Sequence, residues 1–77
     1  MTATTLAAAI NLTPQARIVF NHLRSRGSIS PLEAFGTYGI TRLAARINDL
    51  KKKGILTHTE LKRDASGKAY ARYTLAA

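Results

Sequence analysis

Apolar side chains at Ala16, Val19, Phe20 and Leu23 recur three or four residues apart, the spacing of one face of an α-helix. Thr13-Pro14 just ahead of them is a helix start, because threonine caps free backbone N–H groups and proline brings a helical φ. The pattern predicts a helix from about Pro14 to Arg26, closed by Gly27 with Arg24 and Arg26 in the last turn. Ile29 is expected to make a strand pairing of one or two residues. Ser30-Pro31-Leu32-Glu33 repeats the start signal as a capping box. It predicts a short second helix that turns Leu32 and Phe35 inward and ends near Tyr38. Gly36 costs that helix about 1 kcal/mol relative to alanine, and Gly39 supplies the left-handed residue that closes it. Ile40 then plugs the turn into the core, and Thr41 caps a third helix, about Arg42 to Lys53, with Leu43, Ala44, Ile47 and Leu50 as its buried stripe. Gly54 stops it.

Beyond Gly54 the period shortens to two. Small or apolar residues alternate with polar ones over Ile55 to Lys62, and β-branched Ile55, Thr57 and Thr59 favour a strand. Arg63-Asp64-Ala65-Ser66-Gly67 is turn chemistry. The chain returns through Lys68 to Leu75, with Ala69, Ala71, Tyr73 and Leu75 on one face and Tyr70, Arg72 and Thr74 on the other. Residues 1–12 include the run LAAAINL but have neither cap nor charge, so they are assigned to a flexible or helical N-terminal arm, and residues 13–77 to the domain.

Seventy-seven residues allow one small core. Twelve Lys/Arg against four Asp/Glu give a net charge of +8, which points to a polyanionic partner, nucleic acid ahead of a membrane surface. The absence of cysteine excludes disulfides and thiolate chemistry and fits a reducing cytoplasm. No apolar run approaches the roughly 20 residues that span a bilayer, and no export signal is visible. His22 and His58 have no nucleophile or metal-ligand spacing nearby, the carboxylates are scattered, and no glycine-rich phosphate loop follows a strand. The expectation is a non-enzymatic protein without metal, cofactor or small-molecule ligand.

Two helices joined by a glycine-bearing turn, followed by a basic hairpin, make the layout of a winged helix-turn-helix: mainly α, three helices, a short first strand and a two-stranded C-terminal wing. The segments SPLEA, GITRLAARINDL and ARYTL carry a closer likeness. Over about residues 13–75 the chain resembles the small winged helix-turn-helix proteins encoded by bacteriophages and prophages. The resemblance implies double-stranded DNA as partner, with the third helix in the major groove and the wing on the backbone. One departure is Phe35, four residues before Gly39, where tight helix-turn-helix units usually carry a small residue. It predicts a changed angle between helices two and three.

Charge is concentrated toward the C-terminal half: residues 1–40 carry a net +2 and residues 41–77 a net +6. On the third helix, Arg42, Ala45, Arg46 and Asp49 recur at spacings of three and four and form the expected groove-facing side. Arginine suits it because a planar fork reaches both acceptors of guanine or clamps a phosphate. The plainer explanation is a solvated face with Arg46 paired to Asp49. Thr41 is a helix cap and a candidate phosphate contact. Lys51, Lys52 and Lys53 either complement the helix C-terminus or reach phosphates, Lys52 and Lys53 being the candidate contacts. Lys62, Arg63 and Lys68 flank the wing tip, and Tyr70 and Arg72 share a wing face, so all five join the candidate DNA-binding set, although a charged turn also serves solubility. Tyr73 is expected in the core, and Tyr38 to pack by the turn.

A sequence-specific transcriptional regulator acting in a bacterial host cell is therefore the leading expectation, with dimerisation or cooperative binding on repeated sites, because a single module buries only about 600 to 1,000 Å² on DNA. Two alternatives remain at this level: a module that binds a host or defence protein complex, and an excisionase-like DNA-architecture factor.

Overall fold

The computed structural model describes residues 12–76. Residues 1–11 of the expected arm lie outside them, whereas Leu12, its last residue, is buried in the core. Three helices, α1 (Pro14–Arg26), α2 (Pro31–Tyr38) and α3 (Leu43–Lys52), join three strands, β1 (Ser28–Ile29), β2 (Thr57–Arg63) and β3 (Ala69–Leu75). The sheet is antiparallel in the order β1-β3-β2. This is a winged helix-turn-helix.

The boundaries of α1 and α2 have local causes. Thr13 accepts from the Ala16 N–H, Pro14 opens α1, and Gly27 at φ 89° ends it with its N–H on the Leu23 carbonyl. At α2 the capping box is complete: the Glu33 N–H donates to Ser30 Oγ at 3.3 Å, and the Ser30 N–H donates to Glu33 Oε1 at 3.0 Å. Gly39, at φ 70°, donates its N–H to the Phe35 carbonyl at 2.8 Å, and Ile40 drops into the core behind it.

The core joins Ala16, Val19, Phe20 and Leu23 of α1 to Leu43, Ile47 and Leu50 of α3, with Ile29, Ala34, Ile40 and Ile55 closing it and Tyr73 and Leu75 packed against it from β3. α2 departs from expectation. Leu32 is 79% exposed and Phe35 58%, while Ala34 is fully buried. Ala34 lies one turn after the buried cap residue Ser30, on the inner side of α2, so the small residue that lets α2 approach its neighbours is Ala34. Phe35 therefore does not occupy the slot between the helices.

The start of α3 also differs. Thr41 is exposed and not the cap; Arg42 holds the N-cap position, and no side chain there accepts a hydrogen bond. Burial of Ile40 consumes the turn, and α3 begins only when Leu43 can reach the core. Ala44, expected in the buried stripe, is exposed. Ile55, expected to open the second strand, is buried ahead of it with its N–H on the Leu50 carbonyl at 2.9 Å.

β1 meets β3 only through Ser28 with Thr74 and Ile29 with Tyr73. From Arg72 toward the tip, β3 has only β2 beside it, and the hairpin stands clear of β1 as a wing.

Candidate nucleic-acid interface

Three buried residues, Leu43, Ile47 and Leu50, orient α3. At 3.6 residues per turn the line opposite them runs through Ala45, Asn48 and Lys52, with Thr41 ahead of the helix. Asn48, Lys52 and Thr41 are exposed, as are the neighbouring Ala44, Lys51 and Arg42. Arg42, Lys51, Lys52 and Lys53 have no side-chain partner among the described residues.

Arg46 and Asp49 sit on the flank of this face. Arg46 Nη1 donates to Gln15 Oε1 at 3.1 Å, and Arg46 Nε lies 2.9 Å from Asp49 Oδ2. That second contact is an ion pair without hydrogen-bond alignment, leaving the buried Nε–H otherwise unsatisfied. Both residues line a shallow recess with Thr13, Pro14 and Gln15 at the start of α1. The face drawn from the sequence is thus rotated toward α1: Arg42 and Ala45 stay with the outward side, and Arg46 and Asp49 tie α3 to α1. Asn48 is the residue that sequence reasoning missed. Taking Leu43, Ile47 and Leu50 alone as the stripe would have placed it opposite the core.

In the wing, most cations have internal partners. Lys62 pairs with Glu60 at 3.0 Å, and Arg63 donates to the Gly67 carbonyl at 2.8 Å. Asp64 Oδ1 accepts from the N–H groups of Ser66 and Lys68 and from the Ser66 hydroxyl. The Ser66 hydroxyl, then the Lys68 N–H, hold its carboxyl below the ordinary carboxylate range. Arg72 reaches from the wing toward β1 and α2: its Nη1 donates to Ser28 Oγ and to Glu33 Oε1, each at 2.9 Å, and its guanidinium lies 5.9 Å from the Tyr70 ring centre. Lys68, Tyr70 and Arg72 come together along a groove against α2 that no α3 residue lines. The candidate set is therefore split among the outward side and C-terminal end of α3, its α1 flank (Arg46 and Asp49), the hairpin itself (Lys62 and Arg63) and the α2 side of the wing (Lys68, Tyr70 and Arg72).

The Glu33–Arg72 contact fastens β3 to the start of α2. Desolvation raises the Glu33 pKa, but the Ser30 N–H and the Arg72 charge outweigh it, and the carboxyl ends below its ordinary value of 4.5. A depressed carboxylate stabilises the fold above its unfolded pKa and loses that contribution as pH falls through the folded value. Glu33→Gln is expected to cost about 0.5 to 1 kcal/mol at neutral pH, the contact being half exposed. It should also flatten the loss of stability between about pH 5 and pH 3. Urea unfolding of both proteins across that range checks this; parallel acid limbs would show that Glu33 contributes nothing to it.

His22 is buried on α1, with its Nδ1 2.6 Å from the Tyr38 hydroxyl, so both residues join α1 to α2. Among the described residues no cluster of His, Cys, Asp or Glu is suited to hold a metal, and no helix is long and apolar enough to cross a membrane.

The family model described as a winged helix-turn-helix domain matches residues 14–77, and the chain belongs to that family. No curated protein and no solved structure matches it. Membership suggests a DNA partner, and domains of this kind are typically non-enzymatic.

Proposed function

We propose that the chain is a sequence-specific double-stranded DNA-binding protein, a small transcriptional regulator of the phage or prophage type working in a bacterial cytoplasm. The observation that carries this reading is the outward side of α3, where Ala45 and Asn48 lie between Arg42 and Lys52, cations with no side-chain partner among the described residues. Alanine permits close approach to base edges, and the asparagine amide matches the donor–acceptor pair of adenine. The first turn of α3 has no side-chain cap, so its free N–H groups are open to a phosphate beside Thr41 and Arg42. Lys51, Lys52 and Lys53 reach phosphates at the other end, and Lys62 and Arg63 add backbone contacts from the wing.

Fluorescence anisotropy on DNA from around the chain's own gene, against scrambled DNA over a salt series, tests the proposal. Four to six phosphate contacts give a log–log slope of roughly −4 to −5. A preference of about a hundredfold or more for own-locus DNA at physiological salt is expected. Equal collapse of both affinities would reduce the +8 charge to unspecific attraction and remove the regulator reading.

A further inference from the structure

A groove of about 670 Å³ runs between α2 and the wing. Pro31, Leu32 and Phe35 form one wall and Tyr70 the other, with Lys68 and Asp64 at the tip end. Arg72 ties β3 to Glu33 at the start of α2 and to Ser28 of β1, so the spacing of the two walls is fixed by the fold. Within that wall Leu32 and Phe35 remain 79% and 58% exposed. Among the residues lining the groove, Glu33 and Asp64 balance Lys68 and Arg72, leaving it neutral in a chain of net charge +8.

We infer that this groove is the docking surface for a second copy of the chain, joined by a two-fold contact. Two chains of charge +8 repel wherever their basic faces meet, so close approach requires a locally neutral surface. The groove is such a surface, and it holds two of the four carboxylates of the whole chain. A two-fold contact also needs one patch that is both knob and recess. Here the exposed Leu32 and Phe35 edge the recess, so each copy can set its apolar edge into the groove of the other. Lys68 makes no side-chain hydrogen bond or salt bridge among the described residues, and its charge acts at longer range on Asp64 of the same rim. The symmetric contact sets Lys68 of each copy against Asp64 of the other. With no α3 residue in the groove, the dimer keeps two α3 faces for DNA.

Sedimentation equilibrium of the full chain without DNA, from micromolar to near-millimolar concentration at physiological salt, tests the inference independently of the DNA-binding proposal. The wild type should pass from monomer to dimer across that range. Leu32→Glu/Phe35→Glu should weaken dimerisation at least about tenfold while keeping the thermal melt of a folded domain, since both positions are exposed. Leu56→Glu/Leu61→Glu alters exposed apolar residues elsewhere, at 59% and 77%, and should leave dimerisation intact. A wild type that stays monomeric throughout would overturn the inference, whether or not another protein occupies the groove. A dimer undiminished by the Leu32/Phe35 substitutions, or abolished by the Leu56/Leu61 pair alone, would overturn it equally.

Discussion

Lys51→Glu/Lys52→Glu should weaken binding to own-locus and scrambled DNA alike by about a hundredfold or more, and lower the salt slope by about 2, because each lysine is read as a phosphate contact. Asn48→Ala should act differently. Loss of a bidentate base contact costs about 1 to 3 kcal/mol at the specific site and nothing on scrambled DNA, so discrimination falls while background affinity stays. Arg46→Ala should change affinity less than about threefold, since its guanidinium is engaged with Gln15 and Asp49. Anisotropy titrations, with circular dichroism to confirm folding, separate the three. If Arg46→Ala abolished binding and Lys51→Glu/Lys52→Glu did not, the groove-facing side of α3 would be the one drawn from the sequence, turned toward α1.

Phe20→Ala should lower the melting temperature by at least about 12 °C. Phe20 is 1% exposed at the centre of the core, and truncating a buried phenylalanine costs about 3 to 5 kcal/mol. Each kcal/mol shifts the midpoint of a domain this size by about 4 to 8 °C. The whole domain has a net stability of only about 4 to 12 kcal/mol, so much of the variant is unfolded near 37 °C. Leu32→Ala is the matching control: at 79% exposure it should change stability by less than about 0.5 kcal/mol when the chain is dilute enough to be monomeric. Comparable losses from both variants would mean that α2 is rotated and packs Leu32 inward.

The element order, α1 almost to the residue, the capping box at Ser30 and the hairpin were legible in the sequence. These features depend on interactions within a few residues: a cap and its N–H, a glycine and its φ, a period of 3.6 or 2. The winged helix-turn-helix part of the likeness carried by SPLEA, GITRLAARINDL and ARYTL agreed with the family match over residues 14–77. The inward position of His22, a buried link between α1 and α2, was not legible in the sequence.

Which side of each short helix faces inward was decided by packing. In α2, Pro31 to Tyr38, the apolar residues Leu32, Ala34 and Phe35 surround much of the helix, so hydrophobicity alone does not choose among them. The tight junction chose by size and took Ala34. In α3, Ala44 and Ala45 are too small to mark a face, and the sequence pattern left a rotation of one residue open. Burial of Leu43, Ile47 and Leu50 together closed it, moving Arg46 toward Gln15 and bringing Asn48 outward. Arg72 and Glu33 meet 39 positions apart in the chain. Local propensity determined what the elements are. Contacts distant in sequence, which exist only once the core has formed, determined how they are turned and which charges remain for a partner.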